Sequence, residues 1–456
     1  MSDRLDRIAV TGVGAISALG ADARESFARL LRGERGLGEV MLFSTDGLRC
    51  RIAAQIPDSN LGLANSAQPP SRTDVLALCA ARAALVDARL VPEPGTLGLV
   101  FGGTAGAMFE TEQEIARFGP EERSGRRGAR LVSHPLSRTV ATLENELCRF
   151  SRAATLCSAC SSGAAAIVQA AHWIRSGNSK AVLAGGADGL CRMTFAGFNA
   201  LGALDPEPCR PFDRARKGLN LGEGAAFLLL ESEASAIERG ARILGFLSGW
   251  AIGAEAHHGT HPEPSGRRAA ELMRSALECA GLDVADIDYV NAHGTATLHN
   301  DTMEAAALRL ALGPDTARIA VSSTKGHLGH TLGAAGALEA VVTLLALDAG
   351  IAPATAGLAT AEDEGLNHVM GDPRPGALRA AISNSFGFGG MDAVLVFEAA
   401  NAAPRALAPR SAALVVTGSA CFASGAEQDP RDALDPERSR RFDRLTARVT
   451  LGASAA

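Results

Sequence analysis

Lysine is almost missing from this chain. Of 44 basic residues only three are Lys, at positions 180, 217 and 325, and the rest are Arg. A background so strongly biased toward Arg makes each retained Lys a candidate for a place that needs a compact, strongly hydrated ammonium. Cysteine is sparse and odd in number, nine in 456 residues, which excludes a disulfide scaffold. Most cysteines, such as Cys79 and Cys279, lie in Ala/Leu-rich helical patterns and read as small core residues. No stretch of roughly 18 apolar residues lacks a charge, so no membrane span is expected. The N-terminus has acids before its first strand-like run and no basic start with an apolar segment, so it is not a signal peptide; a cytosolic location is expected. A net charge of −6 gives no reason to expect nucleic acid as a partner.

What is present is 47% apolar and 21% charged, the balance of a globular protein with a sizeable core. Glycine is abundant, 50 residues, and clusters in short motifs that suggest tight turns and close backbone approaches. Short β-branched runs alternate with Ala-rich amphipathic stretches. Runs such as Ile8–Thr11, Leu97–Phe101, Ala181–Ala184 and Tyr289–Ala292 alternate with stretches such as Asp74–Ala88, Ser162–Ser176 and Gly333–Ala349. This predicts α/β layers around mixed or parallel sheets. The polar, Pro/Gly-rich segment Glu255–Ser265 divides the chain into residues 1–254 and 255–400, with no short-period repeat in either. Residues 401–456 begin as an Ala/Pro/Arg linker. They then read either as the truncated start of a second related unit, because AALVVTGS echoes RIAVTGVG, or as a strand and helix docking on the main body.

Three segments carry chemistry. In Thr155–Gly163, TLCSACSSG, Cys160 sits at a turn that opens an Ala-rich helix, where orphan backbone N–H groups and the dipole favour a thiolate. Cys157 and Cys160 also form a C-x-x-C, so redox activity or half of a zinc site must be weighed. No second C-x-x-C and no thioredoxin-like pattern supports either. The second segment is NAHGTATLHND, with His293 ending a strand before Gly and with Thr295 and Thr297 at alternate positions. The third is STKGHLGHTLGAAG, with Lys325 and His330 at another strand-to-helix turn and Glu339 further along the helix. A metal site at His257, His258 and His261 is a competing use for the HHGTH segment. Gly12-Val-Gly14 after a strand hints at a dinucleotide loop, but the third Gly and the acid about 20 residues on are missing.

Taken together, one Cys, two His and one Lys at strand-to-helix turns resemble the elongating β-ketoacyl–acyl carrier protein synthases and the ketosynthases of polyketide pathways. The resemblance spans roughly residues 5–400. It rests on SACSSG at Cys160, HGTATLHND at His293, KGHLGHTLGAAG at Lys325 and His330, NSFGFGG at Asn384–Gly390, and RPFDRARKGLNLGEGA at Arg210–Ala225. It implies a thiolase-like layered αβαβα fold made of two related halves. It also implies decarboxylative condensation of a malonyl unit with an acyl primer held on Cys160. No cofactor is implied beyond the phosphopantetheine arm of an acyl carrier protein.

By resemblance, the backbone N–H groups of Cys160 and Phe388 form the oxyanion hole, and His293 and His330 polarise the malonyl thioester carbonyl. Lys325 and Glu339 form a structural ion pair, and Thr295 and Thr297 hold the phosphopantetheine arm. Phe388 gates a Gly-rich loop, Phe198 and His258 lie along the substrate channel, and Ala105 lines the acyl tunnel. Arg126, Arg127 and Arg130, with Arg214 and Arg216 nearby, are expected to form a docking patch for the acidic carrier protein. The same Arg run also reads as a solvated face. The dimer implied by the resemblance is either with a second copy or with a chain-length partner. A non-catalytic chain-length subunit is the rival of a different class, and a starter-type synthase or thiolase is another. The former usually lacks the nucleophile, and starter-type enzymes pair Cys with His and Asn. Two departures stand out: Met391-Asp392 where the family usually has Thr-Asn, and Arg216-Lys217-Gly218 where Arg-Asp-Gly is usual. The acid in place of an amide is expected to alter hydrogen bonding or gating in the Gly-rich loop.

Overall fold

The computed structural model describes residues 7–61, 70–117 and 134–403. Eleven strands form the main sheet. In chain order they are β1 (Ile8–Ser17), β2 (Leu97–Gly102), β3 (Arg152–Leu156), β4 (Ala181–Asp188), β5 (Gly224–Ser232) and β6 (Gly245–Ala254). They continue as β7 (Tyr289–Asn291), β8 (Ala320–Ser322), β9 (Asn367–His368), β10 (Ala380–Gly387) and β11 (Met391–Ala399). Their spatial order is β9-β8-β7-β10-β11-β6-β1-β5-β4-β2-β3.

This order contains a repeat. Counting strands along each half, β1–β5 are arranged third, second, fourth, fifth, first, and so are β6–β8, β10 and β11. The two first strands, β1 and β6, lie antiparallel at the seam, paired through Ile8–Val10 and Gly245–Leu247. The two halves are therefore related, although the sequence shows no repeat. By sheet order, β6 belongs with the second half, whereas the division at residue 254 leaves it at the end of the first.

Helices α1 (Arg72–Asp87), α2 (Ser162–Arg175), α3 (Arg267–Ala280), α4 (Leu298–Leu312) and α5 (Ala335–Ala349) complete the layers. Helix α1 covers β1 and β5 on one outer face, and α3 covers β6 and β11 on the other. Helices α2 and α5 lie between the half-sheets, packed on each other and on strands of both. Every residue of α5 from Ala335 to Leu347 is buried, and a helix apolar all round is stable only inside a protein. The stretch Leu332–Ala349 is long and apolar enough to cross a membrane (mean hydropathy 1.6), but 89% of it is buried here as this core helix.

Glycine sets the spacing of the outer layer. A Cβ on Gly14 would lie 2.1 Å from the Ala80 carbonyl oxygen of α1, and one on Gly12 would lie 2.4 Å from that of Ala84. Both glycines are buried in the middle of β1. The Gly12-Val-Gly14 motif is thus a helix-packing surface and not a phosphate loop. Replacing Gly14 by Ala forces backbone apart in a packed layer, and overpacking of this kind costs about 1–3 kcal/mol. Gly14→Ala is expected to lower Tm clearly in a thermal melt, whereas Gly33→Ala, with open space around it, loses only the ease of a positive φ.

Candidate active site

The nucleophile turn is built from strand β3. After Leu156 the chain turns through Ala159, whose φ of 51° is left-handed, and enters α2 at Ser162. The Ser162 hydroxyl accepts from the Ser158 N–H at 2.9 Å and donates to the Ala159 carbonyl at 2.6 Å, which locks the turn. Ser161 ties it to the opposite half by donating to the Met391 carbonyl at 2.7 Å. Cys160 is 5% exposed and opens on a cavity of about 270 Å³. The same cavity is lined by His293, His330, Thr295, Thr297, Phe198 and Phe388.

Burial pushes the Cys160 thiol up to about 11. The Phe388 N–H, the Lys325 ammonium and the cysteine's own N–H pull in the other direction and do not overcome it. Burial therefore favours the thiol form of Cys160 in the closed cavity, against the pull of those donors. The two N–H groups that favour the sulfur anion are those of Cys160 and Phe388. The same pair can receive the oxyanion of a thioester attacked by this sulfur.

Both imidazoles present the same tautomer. The His330 Nδ1 accepts a hydrogen bond from the Leu332 N–H at 3.1 Å, which leaves the proton on Nε2. The Lys325 ammonium lies 3.2 Å from the His293 Nδ1, donates to the His293 carbonyl at 2.6 Å and forms an ion pair with Glu339. An ammonium has three donors and no acceptor, so all three are used and the His293 Nδ1 must accept. The rings lie edge to face with centroids 5.4 Å apart. Burial, reinforced by Lys325, holds both imidazoles well below the usual histidine range, so both are neutral Nε2–H donors near neutrality.

A carboxyl that sequence reasoning overlooked fixes His293. Glu304, buried on α4, accepts from the His293 N–H at 2.8 Å, the Gly294 N–H at 2.7 Å and the Asn384 amide at 3.1 Å. Burial raises this carboxyl to about 7 against those three donors. Its neighbour Asp301 bonds the Phe212 and Ala296 N–H groups and joins the RPFD segment to the histidine loop. The signal was available: two acids three residues apart on a helix whose other buried residues, apart from Asn300, are Ala, Met and Leu.

The remaining expectations divide. Phe388 stacks on Phe198, with centroids 5.6 Å apart and planes 18° apart, at the cavity wall. Thr295 and Thr297 share a hydroxyl hydrogen bond of 2.9 Å on the same wall. His258 is exposed and outside the cavity lining; its ring meets that of His261, which does line the mouth. Among the described residues no group of three or more His, Cys, Asp or Glu is arranged to hold a metal ion. Ala105 is not in the cavity lining, and its N–H is held by Asp188 at 2.8 Å. Arg214 is exposed and 3.4 Å from Glu364. Arg216 cannot dock a partner: it is 3% exposed. Its guanidinium donates to the Thr297 and Leu298 carbonyls and pairs with Glu362 at 2.6 Å. Arg126, Arg127 and Arg130 lie outside the described residues, as does nearly all of 401–456. Cys157 is exposed and free, and no disulfide joins it to Cys160.

Residues 5–236 match the N-terminal domain of the beta-ketoacyl synthases, and residues 244–359 match their C-terminal domain. The chain belongs to the beta-ketoacyl synthase family. It is 34% identical over 414 residues to a 3-oxoacyl-[acyl-carrier-protein] synthase 2 of Synechocystis sp., covering 86% of this chain and 98% of that protein. It is 34% identical over 400 residues to nodulation protein E of Rhizobium meliloti, covering 86% and 99%. Among solved structures, the ishigamide ketosynthase/chain length factor superposes with a TM-score of 0.79 at 33% identity over 86% of this chain and 99% of that one. A type II polyketide synthase acyl carrier protein in complex with its ketosynthase gives 0.78 at 26% identity, covering 86% and 99%. The fold of this β-ketoacyl synthase is thus thiolase-like, as its strand order indicates.

The tautomers are directly testable. At neutral pH, ¹⁵N-edited imidazole spectra should show His293 and His330 as neutral Nε2–H forms. Acidification through the ordinary histidine range should leave both unprotonated, because their folded pKa values lie below it. A protonated His330 at pH about 6 would contradict the geometry.

Proposed function

We propose that this chain is a β-ketoacyl–acyl carrier protein synthase, catalysing decarboxylative Claisen condensation between a malonyl thioester and an acyl primer carried on Cys160. The observation that carries this reading is one sulfur and two Nε2–H imidazoles on the wall of one cavity. A chain-length subunit without chemistry has no use for that set.

The steps balance without an added cofactor. In acyl transfer the Cys160 thiol attacks the primer thioester. The oxyanion turns to the Cys160 and Phe388 N–H groups, and the proton lost by Cys160 ends on the departing phosphopantetheine thiol. The malonyl thioester then places its carbonyl oxygen toward the two Nε2–H donors. Carbon dioxide leaves with cleavage of the C–C bond, and its electron pair becomes an enolate that neutral donors stabilise without protonating it. The enolate carbon attacks the acyl-Cys160 carbonyl, the new C–C bond forms, and the Cys160 thiolate is expelled and regains a proton from solvent. Thr295 and Thr297 offer hydroxyls to the amides of the phosphopantetheine arm.

We also infer a partner subunit of the same fold. Strand β3 ends the main sheet, and its outer edge has no neighbour among the described residues, although its side chains are largely half-buried. An uncovered edge of this kind invites pairing with another chain. The nucleophile turn follows directly from it, so the pairing would brace Cys160. For the carrier protein, the basic run containing Arg126, Arg127 and Arg130 remains the proposed docking patch. Arg214 stays in that set and Arg216 leaves it; Lys217, exposed at the cavity mouth, is the better-placed cation.

With defined acyl and malonyl carrier proteins, mass spectrometry should detect an acyl adduct on Cys160 and a product longer by two carbons. Cys160→Ala should abolish the adduct. His293→Ala or His330→Ala should keep the adduct and lose about 10²–10³ in condensation, the cost of one oxyanion donor. Release of no carbon dioxide from malonyl carrier protein by the intact enzyme would sink the assignment.

A further inference from the structure

The two residues that set this chain's Gly-rich loop apart, Met391 and Asp392, follow directly on the gate residues Gly387–Gly390. Asp392 is 3% exposed and lines the active-site cavity. Its Oδ1 accepts the Gly387 N–H at 3.2 Å, at the root of the gate. Across the antiparallel pair formed by β11 and β6, Asp392 is in register with Gly253, two residues before Glu255. Glu255 is 8% exposed, lines the same cavity and braces the other end of the gate, its N–H donating to the Gly390 carbonyl at 2.8 Å. Its Cβ is so close to Gly390 that a side chain there would come within 2.9 Å. One carboxyl oxygen of Glu255 accepts the Glu263 N–H at 3.0 Å. The other, Oε1, is buried with no hydrogen-bond partner. A lone buried carboxylate oxygen is costly, and a protonated neighbour would relieve that cost.

We propose that Asp392 and Glu255 share one proton, and that this proton latches the Gly387–Gly390 loop closed over Cys160. Asp392 and Glu255 sit two register positions apart across the paired strands and line one cavity, so ionisation of both there is opposed by repulsion and burial, and a proton held between them favours the closed loop. Losing it to solvent drives the pair apart, lifts the loop and carries the Phe388 N–H away from the oxyanion position. With the amide usual in the family at position 392, the same bridge would have no proton to lose. The charges acting on Asp392 are acids, Glu255 and Glu304 on α4. Those acting on Glu255 are Glu263, which opposes its ionisation, and His257, which favours it. Lys217, His261 and His299 stand at the solvent-facing mouth of the cavity. Burial and then Glu255 push Asp392 up to about 8, so the latch is intact near neutrality and fails on the alkaline side.

The inference rests on Cys160 being the acyl acceptor, and its test is arranged to separate the two ideas. Acylation of Cys160 by a short acyl N-acetylcysteamine thioester is followed by intact-protein mass from about pH 6 to pH 9.5 in the wild type, Asp392→Asn and Glu255→Gln. Each variant makes an acid–amide bridge without a labile shared proton, so either suffices should the other fail to fold. The variant-to-wild-type rate ratio is expected to climb about tenfold between about pH 7 and pH 9, one unit either side of the Asp392 midpoint. A ratio constant across that range overturns the latch, because a merely structural role lowers the rate without changing its pH profile. Alkylation of Cys160 by iodoacetamide gives a second reading that needs no acyl chemistry. An opened loop should make the wild type alkylate faster than the variants above about pH 8. Refusal of the thioester with that alkylation pattern intact rejects the acyl-acceptor reading and leaves the latch standing.

Discussion

The close meeting of two helix N-termini holds this active site together. A Cβ on Gly163, at the start of α2, would stand 2.8 Å from the Gly333 carbonyl and 2.9 Å from the Ala337 nitrogen; one on Gly336 would strike Ala164. The two central helices therefore begin almost in contact. The turn before one carries Cys160, and the turns before the other carry Lys325 and His330. Helices set apart by ordinary side chains would leave the sulfur and the imidazoles in different cavities. Asp188 reinforces the junction, accepting from Gly333 at 2.7 Å and from Thr104 and Ala105. The catalytic arrangement is thus a packing result first and an electrostatic one second.

Burial then decides the protonation of everything at that junction. It raises the thiol and the carboxyls of Glu304, Glu339 and Asp392, and lowers the imidazoles. The site is therefore close to neutral except for the Lys325–Glu339 pair. The ammonium of that pair spends its donors on Glu339 and on both acceptors of His293. Breaking a buried pair of this sort leaves an uncompensated charge and costs about 3–5 kcal/mol. Arg, with its planar fork of donors, cannot converge three bonds from one nitrogen, which accounts for a lysine in so Arg-rich a chain.

Much of this was legible beforehand. The strand runs and helices expected from periodicity within the described residues are present, most within about four residues of their expected limits, although the first strand runs on to Ser17 where only Ile8–Thr11 was expected, and the chemistry-bearing turns fall where strands give way to helices. Other features were hidden. Strand β6, GFLSGWAIGA, has glycines and a serine where a central strand usually shows branched residues, because Gly249 must admit the backbone of α3. The repeated strand order was expected only through the resemblance, which implied two related halves; periodicity alone does not reveal it, because it is a property of three-dimensional adjacency. Arg216 was misassigned from charge alone: in sequence a basic residue looks solvated, and only the fold shows it inserted among carbonyls at the start of α4. The effect of burial on Cys160 was out of reach for the complementary reason. A helix terminus is readable in sequence, but the desolvation that outweighs it is not.

The seam between the halves has a consequence for how the chain comes into being. Helix α2 is synthesised with the first half, yet it packs against β6, β11 and α5, the last of which ends at Ala349 and β11 at Ala399, 224 residues after α2 ends at Arg175. At a translation rate of about 5–20 residues per second, α2 waits on the order of tens of seconds for the last of these neighbours. The sulfur reaches the ribosome exit well before the imidazoles that make it useful.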